Sequence, residues 1–223
     1  MKIGFVVAMD SEYLPFLDKL GRSVDSRVVS GIEFCRYDCD GRDVFLAKCG
    51  IGEIASSAAT ALLIGKFECS YILNFGLVGT FLPQYRGSLV AVRDVVHYDF
   101  DLSAFGQKVG CPADFASPYF SVYSEGLSRL SAFDLPLVRL ASGDKFISDP
   151  LLSARIASDF SADICDMEGA GIAITCARAG IPFNMIKLVS DGADSSATLD
   201  FAESKTKSFG RAFEIVLSLI RQA

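Results

Sequence analysis

Residues 164–194 read ICDMEGAGIAITCARAGIPFNMIKLVSDGAD, and this stretch decides the fold. A short apolar segment, typical of a strand end, leads to Glu168. The small residues 169–179 then predict a tightly packed helix, which Gly180 and Pro182 end. Residues 183–189 have the apolar, β-branched composition of a buried strand, at whose end Ser190 and Asp191 lead into a Gly-Ala-Asp-Ser-Ser loop. The stretch therefore predicts a strand, helix and strand of an α/β sheet.

Two carboxylates stand at the ends of this unit, Glu168 before the helix and Asp191 after the second strand. Open α/β sheets bind ligands beyond the carboxyl ends of their strands, so one pocket can receive both acids. Each acid also has an ordinary structural explanation. Asp commonly forms a turn or a helix cap, and Glu near a helix start interacts favourably with the helix dipole. Position alone favours the structural explanation for each of them.

The composition predicts a single domain, residues 1–223, with a sizeable core, because 51% of the residues are hydrophobic. A net charge of −6 and a pI near 4.8 argue against nucleic acid or an anionic membrane as partner. No apolar run approaches the roughly 20 residues that span a bilayer. The N-terminus is interpreted as a first strand rather than a signal peptide, so we expect a cytoplasmic protein.

Metal and cofactor chemistry finds little support in the sequence. Most of the seven cysteines lie in apolar segments, where we expect them to be reduced and buried. With His97 as the single histidine, a zinc site would have to use Cys35 and Cys39 together with distant ligands. The glycine turn at 50–52 lacks the third glycine of a dinucleotide-binding fingerprint. No metal and no cofactor are predicted.

The remaining elements predict a mixed sheet with helices packed on it. Alternating segments between residues 27 and 48 indicate hairpins, and the long irregular segment 97–115 is of a kind that usually serves a site or an interface. Strands are predicted at 3–8, 71–75, 87–96 and 138–141, and helices from Asp10 onward and at 54–64, 122–132, 150–160 and 201–221.

Five stretches, collinear and spread along the chain, resemble the methylthioadenosine/S-adenosylhomocysteine nucleosidases of the nucleoside phosphorylase superfamily. They are MKIGxxxAMxxE at 1–12, GIGEIASSAATALLI at 50–64, DFDLSAFG at 99–106, SGDKFI at 142–147, and DMEGAGIA with VSDGAD in the stretch quoted above. The resemblance implies a nucleoside phosphorylase-like α/β fold, with a mixed central sheet flanked by helices. It also implies a homodimer with a shared active site.

The resemblance further implies a role for each of three acids. Cleavage of an N-glycosidic bond passes through an oxocarbenium-like sugar, so the enzyme must improve the purine as a leaving group and direct water at the anomeric carbon. Asp191 matches the acid that protonates the purine N7, which in this family suits a 6-amino purine. Glu12 matches the general base for water, and Glu168 matches the carboxylate that binds the ribose hydroxyls.

Other positions match the substrate pocket of the family. Met167 resembles the side chain beneath the sugar, Phe146 the ring that stacks on adenine, and the Ile147 backbone the group that reads the base edge. The matching pocket residues also include Ser190 beside Asp191 and the apolar walls Ile51 and Phe201. Three more, Leu102, Phe105 and Pro112, resemble residues that reach into the pocket of the neighbouring subunit.

Three positions depart from the nucleosidase pattern, all on the ribose and 5′ side. Leu77 replaces a usual Ser, Gln107 a usual Tyr, and Lys187 a usual Arg, which changes a planar fork into a point charge. We therefore expect adenine recognition to persist while the 5′ group differs from methylthio or homocysteinyl. A related branch that hydrolyses 6-amino-6-deoxyfutalosine in menaquinone biosynthesis shares the DxDLSAF motif, and it competes with the methylthioadenosine/S-adenosylhomocysteine assignment.

Water is the expected nucleophile. A phosphorylase needs arginines near the sugar to hold a phosphate dianion, whereas the loop after the first strand offers Asp10 and Glu12 and no arginine. Two alternatives stay open, a phosphate-dependent purine nucleoside phosphorylase and a catalytically silent nucleoside-binding relative, since a fold alone does not establish activity.

Overall fold

The structure is a computed structural model that describes residues 1–197 and 209–223. In this part of the chain ten strands form one mixed sheet with helices on both faces. The strands are β1 (Lys2–Val7), β2 (Asp25–Val29), β3 (Ile32–Cys39), β4 (Arg42–Lys48), β5 (Tyr71–Thr80), β6 (Leu89–His97), β7 (Tyr119–Ser121), β8 (Leu137–Ser142), β9 (Ile164–Asp166) and β10 (Phe183–Asp191). The helices are α1 (Asp10–Leu20), α2 (Glu53–Gly65), α3 (Ser124–Leu130), α4 (Pro150–Phe160), α5 (Gly169–Ala179) and α6 (Phe209–Gln222).

The sheet is closed at one end and open at the other. Strand β10 pairs in parallel with β5 and antiparallel with β6, and β6 connects through β8 and β9 back to β5. From β5 the sheet continues outward through β1, β4, β3 and β2, with β7 paired to β6. This arrangement confirms the mixed central sheet flanked by helices that the sequence predicted.

Helices cover both faces of the sheet because each presents an apolar side to it. On one face α2 and α5 bury small and branched residues such as Ala59, Leu63 and Ile172. On the other face α1 and α6 bury Phe16 and Ile215, among others. The amphipathic stripe predicted for the last helix is confirmed, since Phe209, Val216 and Ile220 are buried and Phe213 and Leu217 are partly buried.

Two predicted strand ends are wrong by a few residues. Strand β5 continues through Gly76 and Gly79 to Thr80, and β10 continues through Ser190 to Asp191, because the two strands pair in parallel up to Gly79 and Asp191. The ladder of hydrogen bonds therefore overrides the local turn signals. Asp191 is the last residue of a buried strand, so the acid predicted at a strand end is found there.

Other predicted bounds differ less. The helix predicted from residue 122 begins at Ser124, after the short strand β7, and ends at Leu130, while the 97–115 segment is irregular beyond β6 apart from one short turn of helix. The predicted helix from residue 201 is seen from Phe209 onward, and its earlier part lies outside the described residues. All seven cysteines are free and buried, as predicted. None of the described helices combines the length and apolarity needed to cross a membrane.

Candidate active site

A cavity of about 160 Å³ lies where β5, β9 and β10 meet. The register places Gly79 of β5 between Asp191 of β10 and Cys165 of β9. The structure brings together at this cavity most of the predicted site residues: Ile51, Leu77, Phe146, Ile147, Met167, Glu168, Ser190 and Asp191.

Asp191 is held firmly at the cavity. Its side chain is 2% exposed, its Oδ1 accepts a hydrogen bond from the Ala193 N–H at 2.9 Å, and its Oδ2 accepts one from the Ser190 hydroxyl at 2.8 Å. The close approach to β5 requires a glycine, since a Cβ on Gly79 would lie 2.9 Å from Asp191 Oδ1. The local fold thus fixes the position of a carboxyl group in a largely apolar cavity, which is the setting in which acid–base groups are found.

Glu12 lies just behind the cavity wall in the first turn of α1. Its Oε1 accepts from the N–H of Leu77 at 2.8 Å, and its Oε2 accepts from the N–H groups of Ala8 at 2.8 Å and Met9 at 3.1 Å. The side chain is 2% exposed. Burial raises the pKa of Glu12 above its ordinary value, while these hydrogen bonds and the charge of Lys187 oppose the shift. The arrangement suits a base that is held in one orientation.

Glu168 stands at the start of α5 and faces the same cavity. Its Oε1 accepts a hydrogen bond from the Gly52 N–H at 3.0 Å, so the glycine turn before α2 orients it. Burial, followed by the negative charge of Asp166, raises the pKa of Glu168 to about 8. A carboxyl group with this pKa is largely neutral at pH 7 and can both donate and accept hydrogen bonds to a ligand hydroxyl.

Lys187 supplies the positive charge beneath these acids. Its ammonium lies 2.7 Å from Asp166 Oδ2, and the two side chains are each 1% exposed. Burial alone lowers the pKa of Lys187, but the negative charges of Asp166, Glu168 and Glu12 outweigh it and raise the pKa overall. Lys187 is therefore a cation that forms an ion pair with Asp166. A single ammonium makes this contact where a planar guanidinium would offer two parallel donors.

The apolar part of the cavity contains the predicted base-stacking and sugar-contacting residues. Ile147 is buried at 4% exposure and Leu77 at 7%, whereas Phe146 is 41% exposed and Ile51 58% exposed. Met167 is partly buried between Asp166 and Glu168. The buried members form fixed walls, and the exposed members stand at the mouth of the cavity.

Three further predicted residues do not line the cavity of this chain. Leu102, Phe105 and Pro112 belong to the irregular segment after β6 and do not line it, and Phe105 is 83% exposed. Their predicted role in a neighbouring subunit's pocket stays a prediction. Phe201 lies outside the described residues.

The structure adds three residues that the sequence interpretation did not select, Glu53, Ser142 and Asp166. The Ser142 hydroxyl lies 2.5 Å from Asp166 Oδ1 and also contacts Glu53 Oε1. All three stand inside quoted motifs, Glu53 in GIGEIA, Ser142 in SGDKFI and Asp166 in DMEG. Membership in these motifs was the only sequence signal for the three residues. Ser142 is 89 positions from Glu53 and 24 from Asp166 in the sequence, so no local pattern reveals their contacts.

Cavity size alone would point elsewhere. A larger depression of about 910 Å³ lies near Tyr98 and along α4. The acids that line it, Asp99, Asp101 and Asp159, are exposed, so water solvates them. The smaller cavity holds the buried Asp191 and the partly buried Glu168, whose pKa is raised, and these acids make it the candidate site of chemistry.

Comparison with known proteins shows the family of the chain. Residues 2–221 match the family model described as the phosphorylase superfamily, and the chain belongs to that superfamily. It is 32% identical over 230 residues to the 5′-methylthioadenosine/S-adenosylhomocysteine nucleosidase of Shewanella halifaxensis, with 100% of both chains covered. The resemblance to these nucleosidases that the sequence motifs indicated is confirmed.

Solved structures show the same fold. The 5′-methylthioadenosine/S-adenosylhomocysteine nucleosidase of Helicobacter pylori superposes with a TM-score of 0.94 at 25% identity, covering 100% of this chain and 99% of that one. The futalosine hydrolase of Helicobacter pylori strain 26695 superposes with a TM-score of 0.93 at 24% identity, covering 100% and 98%. Because the identity to the futalosine hydrolase is only 24%, that similarity shows the fold alone.

We predict that Asp191→Asn removes most turnover and leaves the fold intact. The amide keeps an oxygen for the Ala193 N–H, and the Ser190 hydroxyl can turn its proton to the Val78 carbonyl, 3.2 Å away. What is lost is a transferable proton, which is expected to cost on the order of 10²–10⁴-fold in kcat. Steady-state kinetics and urea unfolding measure the two properties, with the exposed Asp18→Asn as control. A near-wild-type rate in Asp191→Asn would contradict the role of acid.

We predict that activity falls on the acid side with a pKa above the ordinary glutamate value of 4.5, because Glu12 must be ionised to act as base and its pKa is raised. Protonation as the pH falls through that pKa removes the base. Glu12→Gln is expected to lower kcat on the order of 10²–10⁴-fold with nucleoside binding retained. The measurement is kcat/KM against pH for the wild type and kcat for the variant. An acid limb at or below pH 4.5 would count against Glu12.

Proposed function

We propose that this chain hydrolyses the N-glycosidic bond of a 5′-substituted adenosine and releases adenine, with Asp191 as acid and Glu12 as base. The class of enzyme, an N-ribosyl hydrolase, is confirmed by its similarity to the nucleosidases. The observation that carries the proposal is one cavity lined by Asp191 and Glu168, with Glu12 fixed behind it through the Leu77 N–H.

In the proposed reaction Asp191 donates a proton to N7 of the purine as the bond between N9 and the anomeric carbon breaks. The bonding electrons leave with adenine, and the sugar becomes oxocarbenium-like. Glu12 accepts a proton from water while the water oxygen bonds to the anomeric carbon. Glu168 holds the ribose hydroxyls, and Phe146 with Ile147 holds the base. The products are adenine and a free sugar.

The charges around the cavity support water over phosphate as nucleophile. Among the described residues that line it there is no arginine, and Lys145 is the cation. Lys187 is paired with Asp166, and Arg86 lies outside the cavity with Asp194, at 2.7 Å. A phosphate dianion would meet Glu168 and Asp191 without the arginine forks that usually hold it.

The 5′ side of the substrate is where this chain differs from the nucleosidases. Leu77 lines the cavity with an apolar side chain and gives its N–H to Glu12, so it offers no hydroxyl to the sugar or its 5′ group. We propose 6-amino-6-deoxyfutalosine, an intermediate of menaquinone biosynthesis, as one candidate substrate. Methylthioadenosine and S-adenosylhomocysteine are the others. We expect the reaction to take place in the cytoplasm.

A parallel assay of the three nucleosides tests the proposal. We expect adenine release from at least one of them at a rate that phosphate does not change. Leu77→Ser, which restores the usual hydroxyl, should shift relative kcat/KM toward methylthioadenosine and away from 6-amino-6-deoxyfutalosine. A sugar 1-phosphate formed only with phosphate would establish a phosphorylase. No release from any of them, together with measurable nucleoside binding, would establish a silent binding protein.

We further propose that the enzyme is a homodimer whose subunits complete each other's sites. Support comes from large apolar side chains that this chain leaves in water. Ile54 at the start of α2 and Phe105 in the irregular segment are each 83% exposed. Ile54 lines a depression together with Ala58 and Pro112, beside the polar His97, Asp144 and Arg178. Exposed apolar surface of this kind marks interfaces between proteins.

We predict that Ile54→Asp weakens the dimer, because it would bury an unpaired charge in an apolar interface. Sedimentation velocity is expected to show a dimer for the wild type and a larger monomer fraction for the variant, accompanied by a higher KM. The control is Leu151→Asp on α4, where the leucine is equally exposed at 82%. A fully active wild-type monomer at assay concentration would contradict the shared site.

A further inference from the structure

Glu53 is a buried acid that the reaction proposed above does not use. It is the first residue of α2, it is 6% exposed, and its carboxyl group points into the protein rather than toward solvent. Oε2 accepts a hydrogen bond from the Gly171 N–H of α5, and Oε1 contacts the Ser142 hydroxyl at the end of β8. On its other side, the Ser142 oxygen lies 2.5 Å from Asp166 Oδ1. One hydroxyl therefore stands between two carboxyl groups.

The number of protons decides the charge of this group. A serine hydroxyl carries one proton and donates one hydrogen bond, but it makes two short oxygen–oxygen contacts here. Two ionised carboxylates are acceptors only, so one of these contacts would have no proton. The second proton must belong to Glu53 or to Asp166. Buried polar contacts of this kind persist when every one of them is satisfied.

The surroundings place that proton on Glu53. Asp166 receives the charged Lys187 ammonium on Oδ2 at 2.7 Å and the Gly169 N–H on Oδ1 at 3.1 Å. Charged and backbone donors of this kind favour the ionised form of an acid. Glu53 receives one backbone N–H and has no cation in hydrogen-bond contact among the described residues. The hydrogen bonds therefore run from Glu53 to Ser142, from Ser142 to Asp166, and from Lys187 to Asp166.

Gly171 leaves the space that the Glu53 carboxyl group occupies between α2 and α5. A Cβ at Gly171 would lie 2.5 Å from Ser56 Oγ and 3.0 Å from Glu53 Oε2, closer than side-chain contacts tolerate. The absence of a side chain there allows α2 and α5 to approach closely and lets the Glu53 carboxyl group reach the Gly171 N–H. The helix contact is therefore shaped around Glu53.

We propose that Glu53 is a positioning residue of the active site that works as a neutral acid: through Ser142 it fixes Asp166, and Asp166 in turn holds Lys187 beside Glu12 and Glu168. This inference rests on the proposed function for its effect on turnover, while the protonation of Glu53 stands on geometry alone. Glu53 touches no substrate in this scheme. It sets the place of the cation whose charge favours the ionised form of the base Glu12.

Ionisation of Glu53 should make the activity depend on pH. Burial, followed by the charge of Asp166, raises the pKa of Glu53 to about 7. The other titratable groups that face it are His97 of β6, whose imidazole is paired with Asp99 at 3.0 Å, and Asp144, which accepts the Glu53 N–H at 2.8 Å. When Glu53 ionises, Ser142 keeps one proton for two acceptors and a second negative charge stands beside Asp166. We expect kcat/KM to decline as the pH rises through about 7.

Glu53→Gln tests this directly, because its amide N–H₂ can donate to Ser142 and its amide oxygen can accept from Gly171. At pH 6 its kcat is expected within about threefold of the wild type, since the hydrogen bonds are kept. The part of the decline with a midpoint near pH 7 should be absent from it, whereas Glu53→Ala should lose activity at every pH. A decline in Glu53→Gln that matches the wild type would overturn the proposal, because a group with only a packing role would leave the profile unchanged.

A readout without substrate separates this inference from the proposed function. The native state of the wild type holds a proton on Glu53 up to a pKa of about 7, whereas the unfolded chain releases it near 4.5. Stability in urea should therefore fall as the pH rises between these values. Glu53→Gln should lack that part of the fall, and the exposed Glu214→Gln should follow the wild type. Parallel curves for the wild type and Glu53→Gln would show an ionised Glu53 and overturn the proposal, whatever the substrate assays give.

The wild type alone provides a second measurement in case Glu53→Gln does not fold. Infrared spectra in heavy water distinguish a neutral carboxylic acid from a carboxylate by its C=O stretch. A neutral Glu53 should give a C=O band that disappears with a midpoint near pH 7. This band is separate from the band of Glu168, which is expected to disappear near pH 8. A spectrum that shows only the band expected near 8 for Glu168, with no neutral-acid band lost near pH 7, would overturn the proposal.

Discussion

The active site depends on one buried ion pair, Lys187 with Asp166. An ammonium with 1% exposure is tolerated only because carboxylates surround it, and these acids in turn are tolerated because of the ammonium. One cation balances one acid fully. Burial therefore pushes the remaining carboxyl groups toward the neutral form, as the raised pKa values of Glu168 and Glu12 show. Glu12 has three backbone N–H donors that favour its anion, which fits the role proposed for it as base.

Glycines create the space that this dense group of acids needs. A Cβ on Gly76 would lie 3.3 Å from both Glu12 Oε1 and Lys187 Nζ, and one on Gly79 would lie 2.9 Å from Asp191 Oδ1. Gly171 does the same for Glu53 on the far side of the ion pair. The glycines of β5 are therefore not strand breakers in this chain. They let polar side chains approach a strand that is buried along its whole length.

The sequence predicted the parts of the site that local patterns encode. Apolar segments that end in an acid pointed to Asp191 and Glu168 as candidates, and the motif resemblance indicated functional roles for them, for Glu12 and for the apolar walls. The strand ends were placed too early because the pairing of β5 with β10 extends both strands past their turn-forming residues. Glu53, Ser142 and Asp166 were missed as a group because β8, β9 and α2 meet only in the folded chain. The role predicted for Leu102, Phe105 and Pro112 involves a second chain and stays a prediction.

The central claim is that this cavity directs water at the anomeric carbon of an adenine nucleoside. The most direct test is the reaction in ¹⁸O-labelled water with unlabelled phosphate present, followed by mass spectrometry of the sugar product. The account predicts one ¹⁸O atom in the free sugar, formed together with adenine, and loss of that product in Glu12→Gln. An unlabelled sugar 1-phosphate would contradict the account, because the nucleophile would then be phosphate.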